Sequence, residues 1–401
     1  MKSLADWLKR LERQHPRSIE LGLERVASVH ARIGCERPAP RVITVAGTNG
    51  KGSTVAYIDA IARAAGWRVG KYTSPHLIDF NERIVIDGSM VADQALCAVF
   101  EEIEKALGDT SLTYFEFTTL AALVMFSRAG LDLAVLEVGL GGRLDAVNII
   151  AADVAVITSI GIDHTDWLGE DREQIGFEKA GIMRPGATVI CAERDLPLSV
   201  IKHAQDLAAP LQRIGKDYHR TASLPVMTGP AQQDNLASAV AALRALPKPP
   251  DPLTKKMVAA GAQVSLPGRM QKLRTRPAVF ADVAHNVQAA EHLAACIQLQ
   301  PCEGKRWFVL AMLKDKPVER VVASLDPLAD HWYLAGLDGP RGLPVSDLQQ
   351  RLAGHLCTSA SSHDSVAAAI EQAMSLADEQ DQVYIFGSFL TVAEAFRYWK
   401  R

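Results

Sequence analysis

Cysteine is scarce in this chain, and what there is shows no order. The six residues Cys35, Cys97, Cys191, Cys296, Cys302 and Cys357 are scattered through 401 positions, with no C-x-x-C pair and no Cys/His cluster at zinc spacing. That excludes a disulfide scaffold and a zinc-ribbon module, and free thiols in a reducing cytoplasm are expected. A surplus of charge of one sign is also missing. Lys and Arg number 43 against 46 Asp and Glu, for a formal net charge of −3. A dedicated nucleic-acid binder carries a marked basic excess, so that class is set aside. No apolar run approaches the roughly 18 residues of a membrane-spanning helix. Residues 1–13 interleave Asp6, Lys9, Arg10, Glu12 and Arg13 with Leu4, Trp7, Leu8 and Leu11, which reads as an amphipathic helix and not as a signal-peptide core. Apolar residues still make up 48% of the chain, enough to bury two or three domain cores and to exclude disorder as the main state.

From about residue 40 short apolar runs alternate with helical patterns, as expected of a parallel sheet covered on both faces. Val42–Ala46, Val69–Tyr72, Leu133–Leu136, Val154–Ile157 and Val189–Cys191 read as buried strands, and Ser53–Ala65 as a helix. A second set follows at Ala278–Phe280, Trp307–Leu310, His331–Leu334 and Val383–Phe386. Between the sets, Leu246-Pro247-Lys248-Pro249-Pro250-Asp251-Pro252 breaks both helix and strand. The expectation is an N-terminal α/β domain over 1–265, with a phosphate loop and a mostly parallel sheet, and a smaller Rossmann-like α/β domain over 266–401.

Gly47-Thr48-Asn49-Gly50-Lys51-Gly52-Ser53-Thr54 joins the first strand to the first helix of the sheet. Glycines let backbone N–H groups approach phosphate oxygens, the helix N-terminus adds its positive end, and Lys51 brings a point charge. A strict Walker A motif has glycine five positions before the final glycine of its Gly-Lys pair; Val45 stands there instead, so the loop is a shortened variant. Ligands of open parallel sheets bind at the carboxyl ends of strands. Three such ends carry metal-type ligands here: Glu137 after Leu133–Leu136, Asp163-His164 beyond Val154–Ile157, and Ser74-Pro75-His76 after Val69–Tyr72. Together they imply ATP, one or two Mg ions and a third, charged group. Lys179, taken alone, reads as a lysine on the surface of a helix.

These segments, in order, resemble the bifunctional dihydrofolate synthase/folylpolyglutamate synthase family of the Mur-ligase superfamily, ATP-dependent enzymes that form amide bonds. The resemblance spans nearly the whole chain. It rests on Ile19–Arg25, the GTNGKGST loop, Thr73–Leu77 with Asn81–Arg83, Leu112–Glu116, Leu136–Ala146, Asp163–Gly169, Glu178–Ile182, Leu266–Arg269, Asp282–Asn286 and Phe386–Phe389. It implies that Thr48, Asn49, Gly50, Lys51, Gly52 and Ser53 cradle the ATP phosphates, with Asn235, Arg269 and Asp282 completing the nucleotide site. It gives Ser74, Glu137, His164 and Lys179 to two Mg ions, with Lys179 carbamylated, leaves room for a monovalent cation, and makes Lys51, Lys179 and His164 the catalytic group. Leu21, Gly22, Leu23, Arg83, Thr113, Phe115, Glu116, Leu144, Asp145 and Ala146 are implied to bind the pterin substrate, Phe115 by its aromatic face and Asp145 as acceptor from pterin N–H groups. Dihydropteroate, tetrahydrofolate and L-glutamate are the implied substrates, and a cytoplasmic monomer that uses neither nucleic acid nor membrane is expected. Val287 departs from the family, which usually has proline after His-Asn. Three alternatives remain: polyglutamylation alone, a Mur-type ligase acting on UDP-linked precursors, or a nucleotide-dependent switch that keeps the loop without turnover.

Overall fold

The computed structural model describes residues 2–17, 19–250 and 252–400. They form two compact units, one running to Pro225 and resuming over Gln232–Val264, the other made of Val226–Ala231 and the chain from Ser265 onward. The short excursion Val226–Ala231 joins the second unit through Met227, which is buried, and through Thr228, whose carbonyl lies 3.6 Å from the Cys296 thiol.

In the first unit the apolar runs become the strands β1 (Val42–Ala46), β2 (Val69–Tyr72), β3 (Ile84–Ile86), β4 (Ser89–Met90), β5 (Leu133–Glu137), β6 (Val154–Ile157), β7 (Thr188–Cys191) and β8 (Leu211–Arg213). They lie in the order β4-β3-β2-β5-β1-β6-β7-β8, parallel from β2 to β8, with β3 and β4 added as an antiparallel hairpin. The central strands β1, β5 and β6 are buried at every residue, which is why they read as unbroken apolar runs in the sequence. The opening helix, Leu4–Gln14, is capped by Ser3 and sends Trp7 and Leu11 into the core. There Trp7 meets Phe100 edge-on at 5.7 Å between ring centroids, and Phe100 meets Phe117 at 5.4 Å.

The second unit holds β9 (Gln271–Thr275), β10 (Ala278–Asp282), β11 (Arg306–Leu310), β12 (His331–Ala335), β13 (Ala360–His363) and β14 (Gln382–Phe386). Their order is β13-β12-β11-β14-β10-β9, parallel except for β9. Phe308, Trp332 and Phe386 pack on one face and Val309, Tyr333 and Val383 on the other, so both faces are covered. No helix among the described residues is long and apolar enough to cross a membrane.

Candidate active site

Register decides which strand ends meet. In the sheet of the first unit β2, β5, β1 and β6 are consecutive, with Val45 opposite Glu137, Ala46 opposite Ile157 and Tyr72 opposite Leu136. The phosphate loop leaves the carboxyl end of β1. It is flanked by the β5 end that carries Glu137 and by the β6 end that leads to His164, and the β2 end that leads to Ser74 lies beyond Glu137. This is the crevice where ligands of open parallel sheets bind.

The loop closes onto its neighbours through defined bonds. Thr48 N donates to Ser159 O (2.8 Å), Asn49 N to Ser159 Oγ (3.0 Å) and Thr158 Oγ1 to Asn49 O (2.6 Å). Gly50 caps the helix Lys51–Ala64 in the left-handed region at φ 86°, and a Cβ there would stand 2.7 Å from the Asn235 side-chain oxygen, so only glycine fits. The helix therefore starts at Lys51, two residues earlier than its apolar pattern suggests. Lys51 Nζ donates to Gly47 O (2.8 Å) and Thr48 O (3.1 Å), which folds the ammonium back over its own loop. Ser53 is 1% exposed and its hydroxyl has no partner among the described residues, an expensive state for a buried polar atom and one that a ligand would relieve.

Glu137 is buried, and Ser74 N donates to its Oε2 at 3.1 Å. The same oxygen lies 3.6 Å from where a Cβ on Gly52 would stand, so acid, serine and loop share one small region. His164 begins the next element in the left-handed region at φ 54°, with its N–H donating to Asp163 Oδ1 (2.9 Å). Lys179 is not the surface lysine its sequence suggests: it is 3% exposed, on the inner side of the helix Arg172–Ala180. Burial, followed by repulsion from Lys51, lowers its pKa to about 7, with Asp163, Asp145 and Glu178 opposing the shift. Among the described residues no three His, Cys, Asp or Glu side chains converge as a metal cage.

The second group of predicted residues also gathers, though several have structural work. Gly22 N donates to Leu144 O (3.4 Å), which brings Leu21, Gly22 and Leu23 to the Leu144-Asp145-Ala146 turn. The Phe115 ring stands over Gly139, where a Cβ would come within 2.5 Å of it. Thr113 and Glu116 form the capping box of the helix Tyr114–Arg128, and Glu116 Oε1 also takes Arg25 Nη2 at 3.0 Å. Asp145 accepts from Leu140 N (2.8 Å) at one oxygen and from Val147 N (3.1 Å) at the other, bonds that orient the carboxyl group. Full burial raises its pKa to about 7. Arg83 is buried and donates through Nε to His76 Nδ1 (2.8 Å), and burial together with the Arg83 charge holds His76 down at about 4.

Within the second unit, Met270 N and Ala284 N each donate to an Asp282 oxygen at 2.8 Å, and the Arg269 guanidinium lies 5.4 Å from the centre of the Phe389 ring. Burial raises the Asp282 carboxyl against the pull of Arg269. Val287 is the first residue of the helix Val287–Gln298, capped by Asn286, and at that position the backbone N–H lacks an intrahelical acceptor whether the residue is valine or proline.

Two family models match. The Mur ligase middle domain covers residues 45–223, and the Mur ligase glutamate ligase domain covers 268–389. The dihydrofolate synthase/folylpolyglutamate synthase of Escherichia coli K12 is 46% identical over 97% of this chain and 94% of its own. The chain belongs to the dihydrofolate synthase/folylpolyglutamate synthase family. Its counterpart from Haemophilus influenzae is 39% identical, over 98% and 96% of the two chains. Among solved structures, Escherichia coli FolC in complex with DHPP and ADP superposes with a TM-score of 0.93 at 44% identity, over 100% of this chain and 98% of that one. A bifunctional folylpolyglutamate synthase/dihydrofolate synthase with Mn, AMPPNP and L-glutamate bound superposes at 0.92 and 43% identity, covering 100% and 99%.

Three groups near the Gly47–Thr54 loop and the Leu21–Leu23 segment lie outside the set that the sequence singled out. Thr158 and Ser159 hold Asn49, and Arg25 pairs with Glu116. The first two follow directly on a buried strand, a place where sequence alone signals ligand contact. Arg25 gave no such signal, because its partner is 91 positions away.

Proposed function

We propose that this chain ligates L-glutamate to dihydropteroate and, as a second activity, to tetrahydrofolate, using ATP and an acyl-phosphate intermediate. The observation that carries this reading is the meeting of a phosphate loop, the unpartnered buried Ser53 hydroxyl and the Ser74–Glu137 pair at neighbouring ends of one parallel sheet. The relatives solved with ADP and DHPP, and with AMPPNP, Mn and L-glutamate, support the choice of substrates.

In the first step a carboxylate oxygen of the acceptor attacks the γ-phosphorus of ATP and ADP leaves. Both reactants are anionic, so the chain must provide positive potential. Lys51, once swung from its loop carbonyls, and the N–H groups at the start of the helix Lys51–Ala64 provide it. In the second step the amine of L-glutamate attacks the acyl carbon, phosphate leaves and the amide forms.

The residues fit a divalent cation of the Mg type. Such ions bind through one or two carboxylates plus substrate phosphates and rarely use an all-protein cage, which matches a site with Glu137 and hydroxyls but no cluster of three acids or histidines. Ser74 and Glu137 would hold it, with His164 and Lys179 toward a second ion, and it would supply charge neutralisation at the phosphates. The lowered pKa of Lys179 supports carbamylation: a neutral amine can attack the carbon of CO2, releasing one proton and leaving a carboxylate-like group. Leu21–Leu23, Phe115 and Leu144–Ala146 would form the pterin pocket. Asp145 would accept from pterin N–H groups with the lone pairs that its two backbone bonds leave over.

One assay tests the reading. Phosphate release is followed with ATP and glutamate, adding dihydropteroate, tetrahydrofolate or a UDP-muramoyl acceptor in turn. Turnover is expected with the first two. Release with tetrahydrofolate alone reduces the enzyme to a polyglutamylating one, and release with the third alone overturns the folate assignment.

A further inference from the structure

Arg172 is the first residue of the helix Arg172–Ala180, where a cation opposes the helix dipole and gains nothing locally. Its contacts lie elsewhere. Arg172 Nε donates to Ile160 O (2.9 Å), Nη1 to Asp195 Oδ2 (2.5 Å) and Nη2 to Asp195 O (2.5 Å). Glu193, just past β7, accepts Ile160 N at Oε2 (2.9 Å) and lies 3.5 Å from Arg172 Nη2. Both polar groups of one buried residue, Ile160, are thus gripped by a single ion pair.

The grip falls at a telling place. The neighbours of Ile160 on both sides hold the phosphate loop: Ser159 takes Thr48 N and Asn49 N, and Gly161 N donates to Thr48 Oγ1 at 3.0 Å. Asp163 and His164 follow three and four residues after Ile160. The helix that Arg172 opens carries Lys179 two turns later. One guanidinium fork therefore ties together the helix of Lys179, the segment leading to His164 and the wall of the phosphate loop. The sheet holds this segment only at its start, where Thr158 N donates to Ala46 O (2.9 Å), because residues 158–164 lie beyond the end of β6.

We propose that Arg172 and Glu193 are positioning residues that fix the Ser159–Gly161 segment, and through it the phosphate loop, in its nucleotide-binding form. Their contacts are with Ile160 and Asp195, not with the loop or the ligand-bearing side chains themselves. The inference rests on reading Gly47–Thr54 as the nucleotide loop, so the test has one readout that does not depend on that reading.

The readout is amide hydrogen exchange over residues 158–164 and 47–52 of the nucleotide-free protein, alongside the KM for ATP and kcat. Glu193→Gln is nearly isosteric and keeps an oxygen for Ile160 N, but it loses the charge that Arg172 faces. It should speed exchange in both segments and raise the KM for ATP by about tenfold, with kcat falling less. Arg172→Lys keeps the charge but cannot span Ile160 O and both Asp195 acceptors, so it should be impaired nearly as much as Arg172→Ala. Asp195→Ala, at an exposed side chain outside the Ile160 contact, should stay within about twofold of the parent. Unchanged exchange and KM in Glu193→Gln would overturn the proposal, and so would full rescue by lysine at 172. If exchange rises while the KM stays put, the clamp loses its tie to nucleotide binding and the proposal fails. Lys51→Ala, with exchange over 158–164 left intact and ATP binding unaffected, would instead overturn the nucleotide-loop reading.

Discussion

Ser53 gives the clearest separation of stability from function at a single residue. Its hydroxyl is buried without a partner, so the free protein carries the cost of an unmade hydrogen bond. Ser53→Ala should leave thermal stability within about 1 kcal/mol of the parent, or slightly above it, while ATP-dependent turnover drops by a factor on the order of 10². Calorimetry and phosphate release on the same preparation check both halves. Lys179→Ala should lose ligation with its melting temperature kept or raised, since a desolvated amine disappears, and a small added carboxylate should restore part of the activity. Full unrescued activity would remove the carbamate from the account. Asp145 makes a pH prediction. Burial holds its folded pKa at about 7, above the ordinary value of 3.8 for an aspartate, so between those limits the folded state binds more protons and stability falls as pH rises. The slope is at most about 1.4 kcal/mol per pH unit, and Asp145→Asn should flatten it in denaturant titrations of the ligand-free protein from pH 5 to 7.

Helices and strands show why some of the molecule was legible and some was not. β1, β5 and β6 are buried on both faces, which forces unbroken apolar sequence and made them readable. β8 (Leu-Gln-Arg), β9 (Gln-Lys-Leu-Arg-Thr) and β13 (Ala-Ser-Ser-His) lie at sheet edges, where polar and charged residues discourage pairing with other chains and erase the strand signal. The hairpin β3–β4 is too short to show a period. Glu116 shows the same limit within the site. Its role as partner of Thr113 could be read from the Thr-x-x-Glu spacing, but its ion pair with Arg25 could not. Glu116→Ala removes the carboxylate half of the capping box and one of the two carboxylate partners of Arg25, leaving Glu20 to the guanidinium, whose Nε already lacks a partner. It should cost about 1–2 kcal/mol in a denaturant melt and loosen the Leu21–Leu23 segment, with the Gly47–Thr54 loop unaffected.

At the scale of the whole chain, the gathering of the Gly47–Thr54 loop with the strand ends that carry Glu137 and lead to Ser74 and His164 was legible, because a parallel sheet brings its carboxyl ends to one edge. That Ser74 and Glu137 would share a hydrogen bond was not, since it depends on β2 and β5 being neighbours although 60 residues of sequence intervene. The burial of Lys179 was hidden for a similar reason: its helix is short, and its inner face is set by what packs on it. Near-neutral net charge is compatible with polyanionic substrates because the positive groups are local, at Lys51 and at the start of its helix. Phosphorylation of a substrate carboxylate before the amide forms leaves an isotopic trace, which one round of ligation with acceptor labelled by oxygen-18 in its carboxylate, followed by mass spectrometry of the released phosphate, reads out. Each released phosphate should carry one labelled oxygen, and unlabelled phosphate would rule the acyl phosphate out.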